Sequence, residues 1–281
     1  MPFFAIHLAV LAAFWTGVSW TAFYVCAAAY LVRMFSITAG FHRYFSHRTY
    51  KTGRVFQFVL AWVGTSSVQK GVLWWAANHR HHHAHSDTEL DTHSPVTGSF
   101  WWSHVGWFLC NEFDKTKVHL IPDLMRYPEL RWLNRWYPLP PLLLAAGMLF
   151  LGTVLKQSRP ELGTSGPQML VWGFFVSTVA LYHATFAVNS LAHLFGSRRF
   201  ATPDGSRNSL LVALFTLGEG WHNNHHYSPS LERHGITWWE VDLTHYALRF
   251  LSYFGLVWDL REKLGFNSGV LKAQGTNRVG S

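Results

Sequence analysis

The chain has 281 residues, of which 49% are hydrophobic, 17% aromatic and only 14% charged, and it carries 15 Trp. That balance argues against an ordinary soluble domain, which holds more charge, and suits long membrane-interface zones where indole rings sit favourably. A net charge of +8 beside long apolar runs points to anionic head groups, an acidic protein or a phosphate-bearing substrate rather than nucleic acid, and the two cysteines, Cys26 and Cys110, support neither a disulfide framework nor a thiolate metal site.

Residues 3–39 are almost unbroken apolar, with Arg33 the only formal charge. As one helix this run would be about 55 Å long, too long for one crossing of a roughly 30 Å hydrocarbon core, so a hairpin is expected. Thr16 and Gly17 are its natural turn, giving spans of about 3–17 and 19–40. A signal peptide would need a basic start and a cleavage site, and neither accompanies this run. Residues 56–75 are apolar but interrupted by Gln57, Ser66, Ser67, Gln69 and Lys70, and read as an interfacial segment rather than a crossing. Two further spans are expected at about 139–155, opened by Pro138, Pro140 and Pro141, and at 169–189. Basic residues are sparse in their connector and concentrated in 41–136 and 191–281, which places those stretches on the cytoplasmic side. The expectation is an all-α integral membrane protein: about four transmembrane helices under a cytoplasmic helical cap, one domain over 1–266, and a disordered tail over 267–281.

The 18 histidines outnumber the 15 acidic residues, and they gather in three groups after apolar segments. On a helix, positions i, i+3 and i+4 share a face, so His79, His82 and His83 project together, as do His222, His225 and His226. Each trio can bind a metal without backbone distortion. His42 and His47 are five apart, a spacing that on a regular helix needs an ending or a loop, and Gly40 permits one. Asn189 and His193 repeat the i, i+4 relation at the end of the last span. Nine candidate ligands are too many for one ion and suit two, and imidazole serves iron, zinc and copper alike. His7, His119, His183 and His245 read as packed or interfacial side chains and His81 as a surface residue, while His85, His93, His104 and His234 are open.

These groups resemble the HxxxxH, HxxHH and HxxHH histidine boxes of membrane fatty-acid desaturases, most nearly the acyl-CoA (stearoyl-CoA, delta-9) type and its bacterial and cyanobacterial relatives. The blocks Gly40-Phe41-His42-Arg43, Asn78-His79-Arg80, Ser103-His104-Val105-Gly106-Trp107, Asn189-Ser190-Leu191-Ala192-His193 and Gly218-Glu219-Gly220-Trp221-His222-Asn223 carry the resemblance, which runs from about residue 20 to 260. It implies a di-iron centre with His42, His47, His79, His82, His83, His193, His222, His225 and His226 as ligands and Asn189 acting through a water. Glu219, Asp87 and Asp91 are candidates to orient ligand imidazoles, with Arg43 and Arg80 pairing with those carboxylates.

The activity so implied is O2-dependent desaturation of a saturated fatty-acyl chain carried on CoA, acyl carrier protein or a lipid. An unactivated methylene has no acidic proton or leaving group, so only a metal–oxygen oxidant can remove its hydrogen. No cytochrome-b5-like, flavin or ferredoxin motif is present, so electrons must come from an external donor such as a cytochrome-b5-type protein or a ferredoxin, for which the basic face is suited. A hydroxylase on the same scaffold is the nearest alternative, opposed by the specific NSxxH and GEG blocks. Metal transport ranks lower, because the histidine groups flank the spans instead of lying within them.

Overall fold

The computed structural model describes residues 2–262; the tail expected over 267–281 lies outside them. In chain order its main helices are α1 (Phe3–Thr16), α2 (Trp20–Ser46), α3 (Arg54–Thr65), α4 (Val72–His85), α5 (Pro128–Arg135), α6 (Leu139–Ser158), α7 (Gly166–Leu194), α8 (Leu210–Phe215), α9 (His222–Tyr227) and α10 (Leu243–Tyr253). Three of them, α2, α6 and α7, are long and apolar enough to cross a membrane.

The hairpin turns where expected. Gly17 takes φ +63°, a conformation open to glycine, and the Ser19 hydroxyl accepts the Ala22 N–H at 3.1 Å to cap α2. Helix α1 extends only about 21 Å, which is why it falls short of the crossing length. Arg33, the one charge in α2, is buried and uses its guanidinium to bind the hydroxyls of Ser177 (2.5 Å) and Thr178 (2.8 Å), tying α2 to α7 without a carboxylate.

The helix does not end at Gly40. Helix α2 continues to Ser46, and over Ser36–Ser46 it widens into π-type winding, with the His47 N–H reaching the His42 carbonyl at 3.2 Å. In that wider turn residues five apart stack, so His42 and His47 come onto one face without a loop. Gly40 instead allows close approach of α3, since a Cβ there would lie 3.2 Å from Leu60 Cβ.

The interrupted apolar segment at 56–75 is not one element. It divides into most of α3, an irregular stretch at 66–71 and the start of α4. Val68 (φ +61°) and Lys70 (φ +62°) both adopt the left-handed region, an uncommon choice for a β-branched residue. The main core joins α2, α3, α4 and α5 through residues such as Phe41, Phe45, Leu60, Leu73, Leu130 and Leu133. A short antiparallel pair, Lys51–Thr52 with Val257–Trp258, fastens the end of the described chain beside the first histidine group.

Candidate metal centre

The nine predicted histidines converge from α2, α4, α7 and α9 into two separate sets. One is His42, His47, His79, His83 and His225; the other is His82, His193, His222 and His226. Within each set one nitrogen of every ring lies within 4.8 Å of the others. Neither trio stays within a single set, contrary to the expectation that each would converge as a unit. On a helix the i and i+4 positions differ by about 40° and i+3 lies about 100° from i+4, so each trio splits in the same way. His79 and His83 (ring centroids 4.7 Å apart) join one set while His82 (6.1 Å from His79) joins the other. In α9, His222 and His226 (4.4 Å) stay together and His225 (5.9 Å from His222) crosses over.

A layer of carboxylates holds the outer ring nitrogens. Asp91 accepts from His82 Nδ1 at 2.9 Å, Asp87 from His193 Nδ1 at 2.9 Å, Asp204 from His226 Nδ1 at 2.7 Å, and Glu219 pairs with His42 Nδ1. Burial by itself would raise these aspartates, but the facing imidazoles prevail: Asp87 is lowered to about 2, and Asp91 and Asp204 fall further. Each imidazole that donates through Nδ1 presents Nε2 as a lone pair. His82, His193 and His226 therefore aim three lone pairs at one point, and the buried His226 Nε2 has no partner. Such lone pairs repel unless a cation lies among them, and the carboxylates behind the rings favour one there. Burial, then neighbouring histidines, pushes His47, His79, His83, His222 and His225 well below the ordinary imidazole value, keeping them neutral and able to coordinate. The donor set fits two divalent transition-metal ions.

Behind His42 lies a fully buried Arg43. Its guanidinium binds Glu219 Oε1 (3.0 Å), Asp242 Oδ1 (2.9 Å) and the Glu232 carbonyl (2.7 Å), so it does pair with one of the predicted carboxylates. The glycines of the Gly218-Glu219-Gly220 block make this possible. Gly218 has φ +123°, and a Cβ on Gly220 would lie 2.1 Å from the Ala213 backbone nitrogen. Arg80 departs from expectation. It points about 200° around α4 from His82 and makes a two-pronged contact with Asp123 (2.7 and 3.1 Å), not with Asp87 or Asp91.

Of the open histidines, His234 lies beside His42 and Glu219, and His93 beside His82 and Asp91. His104 contacts Ser190 and His183, while His85 lies beside His81 with the rings tilted; His81 itself is in neither set. His183 also meets His7, and His245, expected to be packed, is buried and binds Glu232 at 2.7 Å. Sequence reasoning missed Asp204, Glu232 and Asp242. Asp204-Gly205 reads only as a turn, and no spacing links it to His226.

Asn189 lines a narrow slot of ≈ 40 Å³ together with Gln69, Trp75, His79, Trp107 and Thr185, between α4 and α7. Trp75 stacks on His79 with centroids 5.0 Å apart. One wall of the slot thus carries a histidine of the five-membered set, and much of the rest is aromatic.

A family model described as fatty acid desaturase matches residues 4–259. This chain belongs to the fatty acid desaturase family. It is an oxidoreductase that desaturates fatty-acyl chains. Among proteins similar to this desaturase, an "sn-1 stearoyl-lipid 9-desaturase" of Anabaena variabilis is 36% identical over 92% of this chain and 91% of its own length. A protein of the same description from Synechocystis sp. is 38% identical, covering 92% of this desaturase and 78% of the relative. An "Acyl-CoA C20 Delta5-desaturase" of Anemone leveillei is 36% identical over 86% of this chain and 75% of its own.

Proposed function

We propose that this desaturase holds two iron ions, one on His42, His47, His79, His83 and His225 and the other on His82, His193, His222 and His226, and introduces a cis double bond at carbon 9 of a saturated acyl chain. The separation of nine imidazoles into two convergent sets carries this reading. When bound, iron supplies the O2-dependent oxidising power that an unactivated methylene requires. The balance is one O2, two electrons and two protons consumed for one double bond and two waters.

The residues of the chain hold and orient. Asp87, Asp91, Asp204 and Glu219 fix ring tautomers, so that Nε2 faces inward. Trp75, Trp107 and Phe186 restrict the acyl chain to the slot, bringing one pair of carbons beside His79 and Asn189. The amide of Asn189 acts through a water at that end of the slot. The membrane topology that suits these parts is three full crossings by α2, α6 and α7, with α1 entering the bilayer as the short arm of the hairpin and the histidines in a cytoplasmic cap. Basic residues concentrated in 41–136 and 191–281 suit docking of an acidic electron-donor protein such as a ferredoxin or a cytochrome-b5-type protein.

The test is the fatty-acid profile of cells expressing the chain beside cells expressing His222→Ala, with double bonds derivatised before mass spectrometry. A 9-monoene present in the first and absent in the second is expected. A hydroxylated acyl chain would replace this reading with the hydroxylase one.

A further inference from the structure

Three histidines outside the two metal sets form a string. His7 on α1 meets His183 on α7, Nε2 to Nε2, at 3.1 Å, and His183 Nδ1 meets His104 Nε2 at 3.0 Å. His104 Nδ1 then meets the Ser190 hydroxyl at 2.9 Å. His104 lies in a π-type turn, Trp102–Gly106, a winding often found at functional sites. Ser190 stands on α7 between Asn189, which lines the slot, and His193 of the four-histidine set.

The string is built differently from the metal sets. There each ring aims one nitrogen at a common point, whereas His183 uses both nitrogens, one toward each neighbour, so the three rings run head to tail. The outer partners differ too. His82, His193 and His226 are each held in one tautomer by an aspartate, but among the described residues neither His104 nor His183 pairs with a carboxylate. Their protons are therefore free to change nitrogen.

The number of protons in the string is variable. Both ends are backbone carbonyls: His7 Nδ1 donates to the Phe3 oxygen at 2.8 Å, and the Ser190 hydroxyl reaches the Phe186 oxygen at 3.0 Å. Five contacts in line require five protons, while three neutral imidazoles and one hydroxyl carry four. A neutral string is satisfied when Ser190 turns its proton to His104. The contact to Phe186 is completed only when one more proton is taken up.

The two ends also differ in access. His183 is exposed and His7 half-buried, whereas His104 and Ser190 are buried, with Phe100 and Phe186 packed against the His104 ring. Burial, and then His183, lowers His104 to about 4, so a proton that reaches it is passed on rather than kept. Ionisable side chains joined in series within a membrane protein are a means of carrying protons.

Resting on the desaturase reading above, we infer that His7, His183, His104 and Ser190 form a proton relay that supplies the two protons consumed with each O2. Doubly protonated His7 gives its Nε2 proton to His183 Nε2, and the His183 Nδ1 proton moves to His104 Nε2. The His104 Nδ1 proton passes to Ser190 Oγ, whose own proton leaves for the oxygen being reduced to water. One proton has entered and one has left, and each shared proton now sits on the inner partner. Reloading returns the His183 and His104 protons to Nδ1 and protonates His7 again from the open end.

The test uses membranes containing the full-length, iron-loaded protein with an excess of reducing system and labelled stearoyl chains supplied on both CoA and lipid. Total oxidised acyl product is counted in H2O and in D2O. His104→Gln, which stays polar but cannot take a proton at one ring nitrogen and release it from the other, is expected to lower turnover about 10- to 100-fold with iron content unchanged. Ser190→Ala should do the same. In both, the solvent isotope effect is expected to rise as proton delivery becomes rate-limiting. Added imidazole, a mobile proton carrier, is expected to restore turnover of His7→Ala without raising that of wild type. A folded, iron-loaded His104→Gln or Ser190→Ala protein with wild-type turnover overturns the inference. So does a loss of turnover with an unchanged isotope effect and no imidazole rescue of His7→Ala, or failure of all three variants to fold, since either marks the string as structural. Desaturation and hydroxylation alike consume two protons per O2, so a hydroxylated product would overturn the desaturase reading while total turnover still decides the relay.

Discussion

Replacing Asp204 by Asn tests whether the carboxylate layer governs one ion separately from the other. Asp204 Oδ2 accepts from His226 Nδ1 at 2.7 Å, and its Oδ1 accepts the Ser206 N–H at 3.0 Å. Asparagine keeps the second bond, so the loop is preserved, but its amide nitrogen meets His226 Nδ1 donor to donor. The ring escapes by moving its proton to Nε2, which removes the lone pair aimed at the set of four. Loss of such an outer partner weakens metal binding by about 10–100-fold, or about 1.4–2.8 kcal/mol. Purified wild type and variant would be dialysed against graded chelator, and iron per chain measured by plasma mass spectrometry. The variant is expected to release one ion at about 10–100-fold lower chelator strength and to keep the other. Glu219→Gln, acting on His42, is expected to loosen the ion of the five-histidine set instead. A variant curve that superimposes on wild type, or loss of both ions together from a folded chain, would refute this account.

Arg43→Met leaves Glu219, Glu232 and Asp242 buried without their shared cation and is expected to cost about 3–5 kcal/mol, seen as a lower midpoint in thermal unfolding followed by size exclusion. Thr185→Phe puts a ring into the ≈ 40 Å³ slot, so turnover of an 18-carbon chain should be lost while iron content is retained. Burial opposes ionisation of Asp123, but Arg80 and Arg48 outweigh it and hold its carboxyl below the usual carboxylate range. Its stabilising effect is therefore present above the ordinary carboxylate value and disappears as pH falls through the lowered one. Asp123→Asn should lower the unfolding midpoint at pH 7, and the gap to wild type should close in acid; a gap independent of pH would count against the pairing.

The sequence by itself determined the helical, apolar character, the hairpin turn at Gly17 and the nine histidines that converge, because hydropathy and helical spacing are local properties of the chain. His79, His82 and His83 could be grouped from a 3.6-residue period alone. Their division between two sets could not, since it depends on which neighbour each side of α4 faces. His42 and His47 show the same limit: a spacing of five is ambiguous until the π-type winding of α2 is known. Asp204, Glu232 and Asp242 were invisible for a related reason, being far along the chain from the residues they hold, with their roles set by contact rather than by pattern. The slot beside Asn189 likewise exists only once α4 and α7 are packed, because an enclosed volume is a property of several segments together and of none of them singly.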